Sequence, residues 1–401
     1  MSWVKEVGGQ PYILIRFGGE IGVKSSRVRV KYEREVLRGL LRRLKKAKVN
    51  YGNPHYLFGR VYLPVEDVEA ALKEASKVFG ISSASPALRT TSSLEDLVKL
   101  GVRVASACLR PRSSFAVKCR RVGEHPYRSP DVVKAVGSAI LTNLKELGVR
   151  VDLDHPDFVL GIEVREDVSY VYLGEVEGPG GLPAGSQGRV VCLVSGGLDS
   201  PVAAWMAMRR GCIPLILHFD LHPFAGPETR DKIMDLAKVL AGWIHGGRLK
   251  VYVAKHGKAL TEIKEKAPDR LTCILCKRMM YRVAERLALK NGAKGIVTGD
   301  IIGEQASQTL ANLAVIDPAV TQLPIHRPLL GFTKEEVERF ARKIGSYEVS
   351  ARPEEGCKAV PRRAATRAKL EDVEEAEESL NVEDIIYEEA EGIEEFVVEG
   401  G

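Results

Sequence analysis

The chain has 401 residues, seven cysteines and a formal charge of +6. Two or three domains are expected at this length. No apolar run approaches the ~20 residues that span a bilayer, and Lys5, Glu6, Gly8 and Gly9 break any signal-like apolar core at the front. Both facts argue against a membrane protein and for a cytoplasmic one, and the sparse, odd cysteine count argues against a disulfide scaffold.

Along the chain, Tyr12–Phe17 reads as a strand. A helix is predicted from Ser26 to Lys48, with apolar Val36, Leu37, Leu40, Leu41 and Leu44 at helical spacing. Its lead-in and other face carry Lys24, Arg27, Arg29, Lys31, Arg34, Arg38, Arg42, Arg43, Lys45, Lys46 and Lys48, offset only by Glu33 and Glu35. Gly59–Leu63 reads as a second strand and Glu66–Phe79 as a second helix, which suggests a small α/β sandwich. Further on, Phe115–Cys119 is a predicted strand and Asp131–Leu147 a helix, with Ser129 placed as its N-cap and Pro130 in its first turn. Two strands flank the Glu166-Asp167 turn. The Gly/Pro-rich stretch from Gly174 to Gly185 is the clearest boundary.

The remainder alternates strands with helices. Val190–Val194, Ile213–His218, Lys250–Ala254 and Gly295–Thr298 read as strands of a doubly wound parallel sheet, whose ligands bind outside the carboxyl ends of the strands. The acidic end, Glu371–Glu399, reads either as a disordered tail or, because Leu380, Val382, Ile385, Ile386, Tyr387 and Phe396-Val-Val398 interleave the acids, as a docked helix and strand.

Four features carry chemistry. Val190-Val-Cys-Leu-Val194 runs into Ser195-Gly-Gly-Leu-Asp-Ser200 and then a helical pattern. Glycines admit a ligand close to the backbone, and the N–H groups at the helix start suit an anion. The Walker ending is missing, and the loop resembles the PP-loop of the ATP pyrophosphatases. In the second feature, Val297-Thr-Gly-Asp300 through Asn312-Leu313 sets amide and hydroxyl groups at the sheet's carboxyl end, suited to a nucleobase or ribose. The third is the pair Cys273-Ile-Leu-Cys276, followed by Lys277 and Arg278, with Cys357 in a cation-rich stretch. Nearby cations lower a thiol's pKa. Three cysteines can hold an iron–sulfur cluster with one iron left open, or run a persulfide relay. Cys108, Cys119, Cys192 and Cys212 sit singly in apolar patterns and read as structural. The fourth feature is the basic helix, either a salt-sensitive nucleic-acid surface or a solvated face.

Together these pieces resemble the tRNA 4-thiouridine synthetase family (ThiI, the tRNA sulfurtransferases) over nearly the whole chain. The resemblance rests on Ile13-Leu-Ile-Arg-Phe-Gly-Gly-Glu-Ile-Gly-Val-Lys24, on the THUMP-like stretch through Arg150-Val-Asp-Leu-Asp-His-Pro-Asp157, and on the lead-in Glu177–Gly185. It rests also on Val297–Asn312 and on His326-Arg-Pro-Leu-Leu-Gly-Phe-Thr-Lys334. It implies an α/β chain with a ferredoxin-like domain over residues 1–70, a THUMP RNA-binding domain over 71–174 and a PP-loop domain over 175–401. It implies ATP and Mg²⁺, with ATP on Leu193, Val194, Ser195, Gly196, Gly197, Ser200, His218, Phe219, Lys277, Gly299 and Gln308. Asp199 matches the essential loop aspartate, Lys334 a functional lysine and Cys357 the sulfur-transfer cysteine. The implied reaction adenylates the C4 oxygen of the uridine at position eight of tRNA and replaces it with sulfur. A sulfur donor, either sulfide or a cysteine desulfurase persulfide, is implied as a partner, and a homodimer and a role in thiamine synthesis stay open.

Many bacterial members end in a rhodanese-like domain, and this sequence stops after the PP-loop domain. Cys273 and Cys276, which many bacterial members lack, resemble an archaeal-type subgroup in which they and Cys357 bind an iron–sulfur cluster, [4Fe–4S] or [3Fe–4S]. The competing readings are a different PP-loop adenylating enzyme that uses ammonia, and a non-catalytic RNA-binding protein.

Overall fold

A computed structural model describes residues 3–57 and 59–400. The chain divides into two units between Leu182 and Pro183. In the first unit the strands are β1 (Pro11–Phe17), β2 (His55–Leu57), β3 (Arg60–Pro64), β4 (Ile81–Thr91), β5 (Ser114–Val122), β6 (Arg150–Val151), β7 (Phe158–Arg165), β8 (Val168–Leu173) and β9 (Val176–Glu177). They form one sheet in the order β2-β3-β1-β4-β8-β7-β5-β6, with β9 paired to β4. Along β1, Ile13 and Ile15 enter the core with the helices, whereas Tyr12 and Leu14 join Tyr62 and Tyr170 in a separate cluster. That is the period-two alternation of a strand with two covered faces.

The long strand β4 was not foreseen, because Ser82, Ser83, Ser85 and Pro86 break its apolar pattern. The sheet satisfies Ser82, Ser85 and Pro86 individually, whereas the buried Ser83 hydroxyl has no hydrogen-bond partner. The Ser85 hydroxyl donates to the Gly174 carbonyl at 2.6 Å and the Ser82 hydroxyl to the Arg16 carbonyl at 3.1 Å. Opposite β1, β4 pairs β9 at Ser83 and Ala84 and β8 from Ala87 onward, and Pro86 falls between these two stretches. A residue without an N–H is tolerated at such a break. The helix Leu94–Cys108 was also missed. It carries a regular apolar face of Leu97, Leu100, Gly101, Val104 and Ala105, and the Ser93 side chain caps it at Asp96 N.

The helix placed at Asp131–Leu147 runs instead from Ser129 to Asn143, followed by a separate 3₁₀ turn. Ser129 is its first residue and not its N-cap. The cap position belongs to Arg128, whose backbone N–H donates to the Asp131 carboxylate at 2.8 Å.

The second unit contains β10 (Arg189–Leu193), β11 (Ile213–Asp220), β12 (Arg248–Lys255), β13 (Ile296–Val297), β14 (Ile325–His326) and β15 (Glu394–Glu399). Their order is β14-β13-β10-β11-β12-β15, parallel except for β15, which runs antiparallel on β12. The switch point lies between β10 and β13: from β10 the chain steps outward through β11 to β12, then returns across to β13.

The acidic end docks, as two helices (Leu370–Glu378 and Val382–Glu391) and β15. Val373, Leu380, Ile385, Ile386 and Val398 are buried. The acids meet cations: Glu383 pairs Arg286, Glu388 pairs Lys258, Glu391 pairs Lys290 and Glu395 pairs Lys250. Glu377 takes both Arg278 and Arg282 in paired bonds of 2.6–2.8 Å. Burial pushes its carboxyl up, but the two guanidinium groups outweigh that and hold it at about 2. The stability it contributes is therefore complete above its ordinary value of 4.5 and is lost as pH falls toward 2. Glu377→Gln should leave two arginines short of their anion and lower stability by about 3 kcal/mol. Chemical denaturation at pH 7 reads the loss, and it should shrink at pH 2.

Candidate functional site: a nucleotide-sized cleft at the carboxyl ends of the strands

The continuous apolar run makes β10 a buried central strand, and the loop after it turns directly into the helix Asp199–Arg209. Ser200 fastens that loop. Its hydroxyl accepts from Ser195 N at 2.9 Å and lies 3.2 Å from the Ser195 carbonyl. Ser350 holds the far side by donating to the Gly197 carbonyl at 3.1 Å. Gly299, at the end of the neighbouring strand, lies against the helix start: a Cβ there would stand 2.8 Å from Ser200 N. Two glycines of the site matter for different reasons. Gly299 lets two backbone segments touch, and Gly196 leaves the loop face open to a carboxylate of Glu354.

The cleft above this loop has a volume of about 510 Å³. Of the expected site residues, Leu193, Val194, Ser195, Gly196, Asp199, Ser200, His218, Phe219, Lys277, Gly299, Gln308 and Cys357 all line it. Gly197 contributes to the loop without lining the cleft. Lys334 opens the helix Lys334–Ile344, close enough for its charge to act on Asp199. Cys273 and Cys276 do not line the cleft, but their helix does. Cys273, Cys276, Lys277, Met280 and Tyr281 follow the i, i+3, i+4, i+7, i+8 spacing of one face, and the last three reach the cleft wall.

Two carboxylates in the cleft are tuned in opposite directions. Burial and the charges of Glu304 and Asp300 push Asp199 up to about 6, against the pull of Lys334. Asp300 is more deeply buried, which alone would raise it, yet Lys277, Thr298 and Arg327 together outweigh burial and hold it at about 2. Its carboxylate accepts from Lys277 Nζ at 2.6 Å, Thr298 Oγ1 at 2.8 Å, Tyr281 OH at 3.0 Å, Arg327 Nε at 3.1 Å and Gln308 Nε2 at 3.3 Å. Gln308 thereby presents a buried carbonyl oxygen with no partner of its own. His218 lies within hydrogen-bond distance of the Val194 carbonyl through Nδ1 (3.1 Å), and burial lowers its pKa.

The thiols differ from the expectation of cation-lowered pKa values. Burial, with Cys276 and Cys357 nearby, pushes Cys273 up to about 11, and burial also raises Cys357. Lys277 and Lys264 pull the other way and lose. The mutual effects place the three thiols in one neighbourhood across about eighty residues of sequence. Among the described residues no three His, Cys, Asp or Glu side chains converge as ligands of a single metal ion. The set offers three sulfur donors, the number a cluster with one unligated iron takes.

Sequence reasoning missed several groups around these thiols. His256, fully buried, sets Nδ1 3.0 Å from both Glu389 carboxylate oxygens and Nε2 3.4 Å from Cys276 Sγ. Burial alone would lower its pKa, yet Cys276 and Glu389 together raise it above the ordinary value. Arg327 and Tyr281 were also missed, although Arg327 sits in a quoted motif.

In the first unit, Arg27, Lys31, Arg34, Arg38, Arg42 and Lys45 follow one another along a single face of the helix Ser26–Lys46, all exposed. Arg43 lies off this row and pairs with Glu74 at 2.9 Å.

Sequence profiles give these features a class. The ThiI ferredoxin-like domain matches residues 12–85, the THUMP domain 91–174 and the thiamine biosynthesis protein (ThiI) 185–382. The cleft thus belongs to a PP-loop domain that follows ferredoxin-like and THUMP modules. The chain is 39% identical to a probable tRNA sulfurtransferase of Methanothermobacter thermautotrophicus, over 94% of this chain and 95% of that one. It is 37% identical to another from Thermoanaerobacter sp. strain X514, over 97% and 100%. The crystal structure of a 4-thiouridine synthetase–RNA complex with bound ATP superposes with a TM-score of 0.84 at 31% identity, covering 98% of this chain and all of that one. The chain belongs to the tRNA sulfurtransferase (ThiI) family and is an enzyme of sulfur transfer. No helix among the described residues is long and apolar enough to cross a membrane.

Proposed function

We propose that this enzyme uses ATP and Mg²⁺ to adenylate the C4 oxygen of the uridine at position eight of tRNA and replaces that oxygen with sulfur, giving 4-thiouridine. The observation that carries the reading is that the phosphate-cradling loop and Cys357 line one cleft. Activation and sulfur delivery can then meet at one carbon. The related synthetase structure contains both RNA and ATP.

The loop Ser195–Ser200 and the helix start hold the phosphates, and the unpartnered Gln308 carbonyl suits an amino group such as that of adenine. Asp199 faces the metal side of the phosphates, and Lys334 offsets charge there. The uridine O4 attacks the α-phosphorus and pyrophosphate leaves. A sulfur nucleophile then attacks C4, the C4–O bond breaks, and AMP departs with the oxygen. Prepaid positioning and fixed donors at the phosphates lower both barriers. Cys273, Cys276 and Cys357 would hold an iron–sulfur cluster, which when bound would supply an iron position able to take hydrosulfide. Residues 1–70 and 71–174 serve as the RNA-binding part, residues 175–401 as the catalytic part.

Asp199→Ala should lower thiolation at least ~10³-fold and leave tRNA affinity within about twofold, read by filter binding. Since Asp199 ionises near 6, kcat/KM for ATP in the wild type should rise as pH increases through 6.

Arg34→Glu, Arg38→Glu and Arg42→Glu together should weaken tRNA binding and flatten its salt dependence by roughly 0.7–0.9 per lost phosphate contact. An unchanged slope would assign the row to solvent.

Protein purified without oxygen should be brown and contain several irons per chain, and Cys273→Ala should lose colour and activity. Iron-free protein that still thiolates tRNA would replace the cluster with a persulfide relay.

A further inference from the structure

The mouth of the phosphate cradle is guarded by an acid. The open face of Gly196 is covered by the Glu354 carboxylate, so closely that a Cβ on Gly196 would collide with it. A loop built of backbone N–H groups at a helix start attracts anions, and here an internal anion stands beside it. That carboxylate is in turn paired with Lys232 at 3.1 Å. Lys232 rises from the helix Glu228–Ala241 and is 4% exposed. Its other bond is to the Arg352 carbonyl at 2.9 Å. A buried ammonium requires an anion close by, and Glu354 supplies it.

An incoming pyrophosphate group changes this arrangement. It brings several negative oxygens to the same loop face. They repel Glu354 and can replace it as the partner of Lys232. Glu354 lies three residues before Cys357, in a stretch without helix or strand. That stretch is otherwise tied down at few points. The Arg352 guanidinium pairs Asp235 at 2.6 Å, Glu355 N donates to Glu228 at 3.1 Å, and Lys358 N donates to the Phe224 carbonyl at 2.8 Å.

We propose that Lys232 is a further binding residue for the pyrophosphate portion of ATP, that Glu354 holds its place until the nucleotide arrives, and that exchange of these two anions releases the segment leading to Cys357. The inference rests on the reading of the cleft as the ATP site. It orders the reaction: the segment leading to Cys357 loosens only after the activating nucleotide has bound, while Cys357 itself keeps its place beside Cys273 and Cys276.

The test uses the full-length, cluster-loaded enzyme made without oxygen, a non-hydrolysable ATP analogue with Mg²⁺, and AMP as a probe lacking the pyrophosphate. Binding is measured by calorimetry and the mobility of residues 352–358 by hydrogen–deuterium exchange. In the wild type, the analogue should speed exchange in this segment at least threefold and AMP should not. Glu354→Gln should bind the analogue roughly five- to tenfold more tightly, because Lys232 then lacks an anion in the free enzyme, and its free-state exchange should match that of the nucleotide-bound wild type. Lys232→Met should weaken the analogue at least tenfold with AMP affinity unchanged, while Lys232→Arg, which keeps the charge, should stay within about threefold. Tight analogue binding with no effect of Glu354→Gln on affinity or exchange would overturn this proposal and leave the ATP site standing. Failure of the wild type to bind the analogue at all would overturn the reading of the cleft itself.

Discussion

The carboxylate of Asp300 holds the catalytic unit's cleft together. It stands just past β13 and gathers a lysine and a tyrosine from the helix Thr272–Lys290, a threonine from its own strand end, an arginine from beyond β14 and an amide from the 3₁₀ turn Ala306–Gln308. Five donors converge on one anion, a degree of satisfaction that buried charge requires. Because Lys277 is spent on this bond, its position in the cleft is fixed. Because Gln308 gives its amide nitrogen to Asp300, its buried oxygen is left without a partner at the cleft wall. The same residue therefore shapes both the electrostatics and the hydrogen-bond pattern of the pocket.

A second organising force is charge complementarity between the acidic C-terminal segment and the basic surface of β12 and the helix Thr272–Lys290. Many of its surface pairs contribute little singly, but Glu377 is partly buried, Glu389 is buried, and both hold groups near the cysteine pair. Glu377 clamps Arg278, two residues past the cysteine pair. Glu389 orients His256, whose other nitrogen meets Cys276. The acidic segment thus supports the cysteine-bearing helix from behind.

Much of the catalytic unit was legible in the sequence, for a physical reason. A parallel strand covered on both faces needs an unbroken apolar run, and Val190–Val194 supplies one directly before the Ser195-Gly-Gly-Leu-Asp-Ser200 string. The cleft lining followed from the resemblance at those motifs. What stayed hidden depends on distance along the chain. His256 and Glu389 are 133 residues apart, and neither sits in a recognisable pattern. Glu354 covers Gly196 only through the fold. The strand Ile81–Thr91 was hidden because Ser82 and Ser85 are satisfied by particular carbonyls and its proline by a break in pairing, facts that periodicity does not encode. The thiol pKa values were misjudged because adjacent cations in sequence say nothing about burial, which dominates here.

The contact between Gly299 and the start of the helix Asp199–Arg209 has an entropic consequence. Where strand end and helix start meet, the floor of the cradle is main chain alone, fastened by Ser200. Main chain held on both sides has no rotamers to freeze. A bound phosphate would therefore pay for its own loss of freedom and for very little of the protein's. A side chain at position 299 would force the two segments apart, replacing a floor with one conformation by a floor with several, and each binding event would have to select among them.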